Sequence, residues 1–187
     1  MIIIDNFLQD KKIFTQIQKE DTWRNFPTHN WWDGWWRCKL RNIMETLIEI
    51  IWKRLNIENK IAGFEYWSNS QTINQSLNWH FDKDEKLNLI KKKIISPSIG
   101  HIFYSKIENL DGGFLEISSN RKVDDEENFE RIKPVENRLV IFNPSIPHRV
   151  TKIHNGNRRA FIANAWAKKP LTFELSEQVG KNFEPFN

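Results

Sequence analysis

The chain has 187 residues with 13 Phe, 9 Trp and one cysteine, and its formal net charge is +4. This length suits a single domain with one core, and the many large aromatic residues exclude the composition of a disordered chain. Because Cys38 can form no internal disulfide and no thiolate zinc site of the finger type, a bound metal would need His and carboxylate ligands.

The first predicted elements along the chain are helices. A short helix is expected near residues 11–20. A longer amphipathic helix follows, because apolar residues recur there at spacings of three and four, which is typical of a helix face packed on a core. The residues of this face are Leu40, Ile43, Met44, Leu47, Ile48, Ile51, Trp52 and Leu55.

The pattern changes after residue 60 to short apolar runs that are separated by turn residues. These runs are residues 61–67, 77–81, 99–104, 114–117, 138–142, 148–153 and 158–166. Because no long helical pattern separates most of them, they predict antiparallel strands in a sandwich or barrel. We therefore expect one domain, with helices in residues 1–60 packed outside a β core of residues 61–166, and a tail of residues 167–187.

Targeting and charge patterns are weak. No apolar run approaches the ~18 residues of a membrane span, and the apolar residues 1–4 are too few for a signal peptide. With the single cysteine, this predicts a cytoplasmic protein with no membrane partner. Three lysines at 91–93 are offset by an acidic run at 124–127, so charge does not choose between nucleic acid and an anionic small molecule.

The five histidines differ in what their surroundings predict. His29 and His154 lie in polar loop or turn sequences and are expected at the surface. His101 lies in a predicted strand and is expected to be packed or hydrogen-bonded. His80 is different because Asp82 follows it by two residues, and residues i and i+2 of a strand project from the same face.

A second histidine, His148, is a candidate to complete a metal site with His80 and Asp82. We expect it on a facing strand, where the irregular backbone around Pro144 and Pro147 aims the imidazole inward. Two His and one carboxylate with three open positions form the ligand set of non-haem Fe(II) oxygenases, whereas a zinc hydrolase site is more often tetrahedral.

Arg158 and Arg159 follow His148 by about ten residues. A guanidinium is the natural bidentate anchor for the far carboxylate of a keto acid that chelates iron. A three-residue turn at residues 155–157 would point Arg158 to the face of His148, and a two-residue turn would point Arg159 there. The pattern alone leaves both registers open.

Four short motifs follow one another within residues 61–166. They are Trp79-His80-Phe81-Asp82, Tyr104 with Asp111-Gly112-Gly113-Phe114-Leu115, Pro147-His148-Arg149-Val150, and Gly156-Asn157-Arg158. Their order and spacing resemble those of the 2-oxoglutarate/Fe(II) dioxygenases, in particular the prolyl 4-hydroxylase-like branch.

The resemblance implies a double-stranded β-helix, a cupin-like jelly roll with helices packed outside. It implies that His80, Asp82 and His148 bind Fe(II). It also selects Arg158 for 2-oxoglutarate, which commits the chain to the three-residue turn, and it makes Tyr104 a second 2-oxoglutarate contact.

The activity that the resemblance implies is oxidative decarboxylation of 2-oxoglutarate to succinate and CO2, coupled to O2-dependent hydroxylation of a C–H bond, with ascorbate as a reductant. A peptide, protein or amino acid, for example a peptidyl proline, is favoured as substrate over nucleic acid. Two alternatives remain: a cupin-like metalloprotein that does not use 2-oxoglutarate, and a non-catalytic jelly-roll binding module.

Residues 30–37 contain four tryptophans around an Asp-Gly pair. One interpretation is a turn whose indoles pack on the following helix and the sandwich edge. The other is a stacking surface at the mouth of the iron site, in which Trp32 and Trp35 contact the substrate. We carry the second forward as an expectation.

Overall fold

The structure is a computed structural model that describes residues 1–24, 29–55, 60–119 and 128–174. The acidic run at 124–127 and the part of the expected tail after residue 174 lie outside the described residues. The described elements in chain order are β1 (Ile2–Ile4), α1 (Lys11–Gln18), α2 (Glu20–Arg24), β2 (Asn30–Trp32), α3 (Ile43–Leu55), β3 (Gly63–Thr72), β4 (Leu77–His80), α4 (Glu85–Lys91), β5 (Ile99–Gly112), β6 (Leu115–Ser118), β7 (Phe129–Ile132), β8 (Arg138–Phe142), β9 (His148–Val150) and β10 (Ile153–Trp166).

The strands form two antiparallel sheets. The larger has the order β1-β8-β5-β10-β3-β2, and the smaller has the order β4-β9-β6-β7. One apolar cluster draws residues from both sheets, namely Ile102, Tyr104, Leu115, Ile117, Ile132, Val140, Phe142 and Ala160. This cluster is the interior of the sandwich, and it confirms the prediction of a mainly β, jelly-roll fold.

Helices α1, α2 and α3 cover the outer face of the larger sheet. Ile17 of α1 and Leu47 of α3 are buried in a second apolar cluster together with Phe64 and Phe161 of the sheet. The helix α3 begins at Ile43 rather than at Leu40, because the Asn42 side chain caps its N-terminus by accepting from two backbone N–H groups.

Several expected elements differ in extent from those observed. The first helix ends at Gln18, because Lys19 is extended, and α2 begins at Glu20. The first 60 residues are not purely helical, since β1 and β2 pair with β8 and β3 of the larger sheet. The short elements α4 and β7 were not predicted. Asp84 begins α4 by accepting from the Leu87 N–H.

The turn expected at residues 155–157 does not exist. Both turn registers are wrong, because β10 runs without interruption from Ile153 to Trp166 beside β5. Asn155 and Gly156 instead lie in a bulged part of this strand, where the register to β5 shifts twice. Gly156 has φ of 72°, and a Cβ there would lie 2.1 Å from the Glu108 carbonyl oxygen, which accounts for glycine.

None of the helices in the described ranges has the length and apolar composition needed to cross a bilayer.

Candidate metal centre

Two neighbouring strands bring the candidate ligands together. His80 is the last residue of β4, His148 is the first residue of β9, and their Cα atoms are partners in the antiparallel ladder. The expectation of a facing strand is therefore wrong, since both histidines belong to the smaller sheet. Asp82 lies two residues beyond the end of β4, where its backbone N–H donates to the Pro144 carbonyl at 2.9 Å.

The three side chains converge on one point. Oδ1 of Asp82 lies 3.8 Å from Nε2 of His80 and 3.9 Å from Nε2 of His148. One ligand atom from each residue falls within 4.8 Å of the others. The set is partly open to solvent, because the His80 side chain is 34% exposed while that of His148 is 7% exposed.

Backbone carbonyls orient both imidazoles. Nδ1 of His80 lies 2.8 Å from the carbonyl oxygen of Asn78, and Nδ1 of His148 lies 2.9 Å from that of Ile146. Because a carbonyl only accepts, each Nδ1 carries a proton, so the neutral form of each imidazole has its lone pair on Nε2. Hydrogen bonds of this kind fix metal-binding histidines in the required tautomer.

Burial lowers the pKa of His148 below its ordinary value, and the neighbouring Asp82 carboxylate partly opposes this shift. The imidazole is therefore neutral near pH 7, which is the form that binds a metal.

Asn164 holds the Asp82 carboxylate from the other side. Its Nδ2 donates to Oδ2 of Asp82 at 2.8 Å, which leaves Oδ1 facing the two histidines. The sequence interpretation missed this residue, although an amide within the apolar run at 158–166 is a detectable signal. The side chain is nearly fully buried, so its hydrogen bond to Asp82 is shielded from water.

Arg158 is a buried cation that lies near the three candidate ligands. Its side chain donates through Nε and Nη2 to Oε1 of Gln71, and no carboxylate pairs with it among the described residues. Arg159 points the other way, where it forms an ion pair with Glu20 and lies over the Trp23 ring. Alternation along β10, rather than a turn, thus places Arg158 between the sheets.

Tyr104 lies beside Arg158 in the interior of the sandwich. The guanidinium carbon is 5.6 Å from the centre of the Tyr104 ring, and the phenol is fully buried. Burial raises the pKa of Tyr104, and the nearby Arg158 charge opposes that increase. The phenol is therefore neutral and keeps its proton at pH 7.

The candidate ligands and Arg158 line one pocket. Its lining residues are Trp67, Asn69, Leu77, His80, Asp82, Ile102, Leu115, Phe142, His148, Val150, Arg158, Ala160 and Ile162. The residues from β5, β6 and β8 are buried, whereas Leu77 is 39% exposed and Trp67 is half-buried. The pocket therefore opens on the side of β3 and β4.

The expectation that Trp32 and Trp35 line this mouth is wrong. Trp32 is paired with Phe64, whose side chain faces the helices, and it is 1% exposed. Trp35 packs against the same cluster, with its ring 6.1 Å from that of Trp32. Neither residue belongs to the pocket lining. The packing interpretation of residues 30–37 describes both indoles.

The indole at the pocket is Trp67, which the sequence interpretation did not select. Its ring stacks on His29 at a centroid distance of 4.8 Å, and His29 in turn bonds to Glu65 at 3.0 Å.

His29 is exposed, as expected, and so is His154. His101 is buried and hydrogen-bonded to the Ala163 carbonyl, as expected for a packed histidine.

This arrangement fits a metal ion with an anionic ligand. Two imidazole Nε2 atoms and one carboxylate oxygen present three donor atoms from one side and leave the pocket side for other ligands. A buried guanidinium without a carboxylate partner in the described residues provides the charge for an anion in the same pocket.

Comparisons with known proteins agree with this site. Residues 66–168 match the sequence model of a family described as the 2OG-Fe(II) oxygenase superfamily. No curated protein sequence matches the chain significantly. Among solved structures, similarity extends over most of the chain, at sequence identities that support the fold alone.

One similar structure is the viral collagen prolyl hydroxylase vCPH from Paramecium Bursaria Chlorella virus-1 with 2OG, at TM-score 0.59 and 16% identity over 90% of this chain and 96% of that one. Another is a prolyl hydroxylase from Trichoplax adhaerens with a peptide fragment of the hypoxia inducible factor oxygen degradation domain. Its TM-score is 0.60 and its sequence identity is 15%, over 92% of this chain and 86% of that one. A third is HygX from Streptomyces hygroscopicus with nickel and 2-oxoglutarate. Its TM-score is 0.55 and its sequence identity is 11%, over 87% of this chain and 81% of that one.

Proposed function

Because the chain belongs to the 2OG-Fe(II) oxygenase superfamily, we propose that His80, Asp82 and His148 bind its Fe(II) and that Arg158 binds the far carboxylate of 2-oxoglutarate. The second substrate that we propose is a polypeptide, hydroxylated at an uncharged aliphatic side chain such as that of proline.

The observation that carries the site assignment is the position of Arg158. A guanidinium that is 3% exposed, with only the uncharged side chains of Gln71 and Tyr104 as hydrogen-bond partners in the described chain, needs an anion to compensate its charge. It lines the same pocket as the three ligands. A dicarboxylate that reaches the metal with one end and Arg158 with the other satisfies both features.

His80, Asp82 and His148 would hold the Fe(II), which would supply the chemistry that couples conversion of 2-oxoglutarate and O2 to succinate and CO2 with hydroxylation of a C–H bond of the second substrate. The protein's own residues orient the metal ligands and shield the pocket from water. Asn164 fixes the Asp82 carboxylate, and the carbonyls of Asn78 and Ile146 fix the imidazoles. The buried apolar side chains of β5, β6 and β8 exclude water from the inner end of the pocket.

Both the hydroxyl and the ring of Tyr104 support the assigned anion site. Its buried hydroxyl lies close enough to Arg158 to accept from the guanidinium, and its own proton has no acceptor among the described residues, so it is available as a donor to a carboxylate at Arg158. Its ring also packs against the guanidinium, although the phenol is not itself part of the pocket lining. We propose the hydroxyl as a second 2-oxoglutarate contact.

The lining of the pocket supports an uncharged target side chain. Apart from the candidate ligands, the charged group in the described lining is Arg158, and we assign that charge to 2-oxoglutarate. No other charged side chain then remains in the described lining to neutralise a charged target. Trp67, Leu77 and Ile162 instead offer apolar contact to an aliphatic ring or chain. Several similar structures are prolyl hydroxylases, which makes peptidyl proline the first candidate.

The experiment is a measurement of succinate formation by the iron-loaded protein against a panel of substrates. Proline-containing peptides are expected to accelerate succinate formation above the slow reaction without a second substrate. Matched peptides with alanine in place of proline, free amino acids and oligonucleotides are the comparisons. Acceleration by oligonucleotides alone would contradict a polypeptide substrate.

A further inference from the structure

Gln71 is the direct neighbour of Arg158 across the sheet. The two residues are Cα partners in the ladder between β3 and β10, so their side chains lie on the same face. Oε1 of Gln71 accepts from both Nε and Nη2 of Arg158, with a distance of 2.9 Å to Nε. Both side chains are buried, at 9% and 3% exposure.

An uncharged partner such as the Gln71 amide is unusual for a buried guanidinium. A carboxylate in the place of the Gln71 amide could form the same two hydrogen bonds, and it would also neutralise the cation. The amide fixes the orientation of Arg158 but leaves its positive charge uncompensated within the described residues. Nη1 of Arg158 is not used by Gln71, so part of the guanidinium stays available to a ligand.

We propose that Gln71 is a positioning residue that aims Arg158 while keeping its charge free for the far carboxylate of 2-oxoglutarate. This inference rests on the proposed role of Arg158. It makes the choice between amide and carboxylate at position 71 a determinant of co-substrate affinity, independent of the metal ligands.

The test compares Gln71→Glu with Gln71→Leu. The first variant keeps both hydrogen bonds to Arg158 and adds a negative charge, while the second removes the hydrogen bonds and adds no charge. Calorimetric titration of the Mn(II)-loaded protein measures the affinity for 2-oxoglutarate and for 2-oxovalerate, a keto acid of the same chain length without the second carboxylate. Mn(II) affinity is measured separately on the metal-free protein.

Gln71→Glu is expected to weaken 2-oxoglutarate binding by roughly tenfold or more, because the new carboxylate competes for the charge-assisted hydrogen bonds of Arg158. Its affinities for 2-oxovalerate and Mn(II) are expected to match those of the wild type. Gln71→Leu is expected to cause the smaller loss in 2-oxoglutarate affinity. A merely structural role predicts the opposite order, since the Leu variant loses more native contacts.

The matched control is Gln75→Glu. Gln75 is exposed, its Oε1 accepts from the backbone N–H of Thr72, and Glu keeps that acceptor. This variant carries the same change of charge on a nearby residue whose side chain bonds to the Thr72 backbone rather than to Arg158, and it is expected to bind 2-oxoglutarate as the wild type does.

Two further results overturn the inference, and they have different meanings. If Arg158→Ala weakens 2-oxoglutarate binding but Gln71→Glu binds as tightly as the wild type, the role of Gln71 is wrong and that of Arg158 stands. If Arg158→Ala binds 2-oxoglutarate normally, the proposed anchor is wrong, and the role of Gln71 fails with it.

Discussion

At the scale of single residues, the adjacent Arg158 and Arg159 have the same side chain and opposite surroundings. Arg158 is buried between the sheets, and Arg159 pairs with Glu20 on the helical side. Successive residues of a strand point to opposite faces, so only one of the two can reach the pocket. The ion pair of Arg159 already compensates its charge, whereas Arg158 has a neutral partner in Gln71.

We predict that Arg158→Ala raises the dissociation constant for 2-oxoglutarate by roughly 10- to 150-fold, because a charge-assisted bidentate contact is lost. Arg159→Ala is expected to change it little. Titration of the metal-loaded variants with 2-oxoglutarate measures both. A larger effect of Arg159→Ala would contradict the assignment.

A second prediction at this scale concerns Trp67. Trp67→Ala is expected to lower substrate-coupled turnover while leaving the slow, substrate-independent decarboxylation of 2-oxoglutarate unchanged, because the indole lies at the pocket's open side. Comparing the two rates in each variant measures this. Trp36→Ala is the control, since Trp36 is an exposed indole outside the lining, and it is expected to alter neither rate. An equal fall of both rates in Trp67→Ala would exclude a specific role in substrate binding.

The candidate ligands could be identified from the sequence, but the residues that support them could not. His80 and Asp82 are detectable as a local pair, and the motif order selects His148. Gln71 and Asn164 support Arg158 and Asp82 through contacts between residues that are 87 and 82 positions apart. Such contacts depend on which strands are neighbours, which local patterns do not specify.

At the scale of the elements, β10 connects both ends of the site. It carries Arg158 near one end, Asn164 near the other, and Ala160 and Ile162 in the lining between them. The interpretation of Asn155 and Gly156 as a turn was wrong because an Asn-Gly pair suits any backbone with positive φ, including a bulge. The bulged register nevertheless leaves Arg158 on the inner face of the sheet.

Gly156→Ala is expected to lower the free energy of unfolding by about 1–3 kcal/mol, since the residue has positive φ and a Cβ would meet the Glu108 carbonyl. Chemical denaturation measures this change. Gly156→Asn separates the two causes, because Asn tolerates positive φ but still adds a Cβ. Full stability of the Asn variant would contradict the close approach of β10 to β5.

The Trp-rich segment shows a second limit at the element scale. Alternation puts Trp31 and Trp32 on opposite faces of β2, but the sequence does not say which face meets the helices. The pairing of Trp32 with Phe64 decides this, and that partner lies on a different strand. An aromatic cluster near a turn therefore predicted a binding surface where the fold places core.

At the scale of the whole molecule, the fold was largely predictable and its connections were not. The period of the apolar residues indicated the long helix α3 and seven strand-containing segments, since burial on one face leaves a repeating signal. The short elements α4 and β7 leave weaker signals. The distribution of strands between the two sheets depends on long-range pairing, and the resemblance rather than the periodicity supplied the jelly roll.

Stability of the metal-free protein is expected to depend on His101, which packs between α3 and the larger sheet near Trp52. Burial lowers the pKa of His101 to about 4, from an ordinary value of 6.5. The unfolded chain therefore binds this proton more readily between those values, and stability falls as the pH decreases from about 6.5 to about 4, by at most about 1.4 kcal/mol per pH unit.

The measurement is the free energy of unfolding at pH 7 and pH 4.5 for the wild type and for His101→Asn, whose amide can still donate to the Ala163 carbonyl. Because the carboxylates titrate in both proteins, the difference between them isolates His101. The variant is expected to lose less stability on acidification. Equal losses would show that His101 does not titrate with folding.

The most direct test of the proposed centre is the iron content of Asp82→Ala. Wild-type protein reconstituted with Fe(II) is expected to retain one iron per chain. Asp82→Ala is expected to retain none while its circular-dichroism spectrum stays unchanged, and Glu85→Ala, which removes an exposed carboxylate nearby, is expected to load normally. Undiminished iron in Asp82→Ala would contradict the assignment of His80, Asp82 and His148 as the metal ligands.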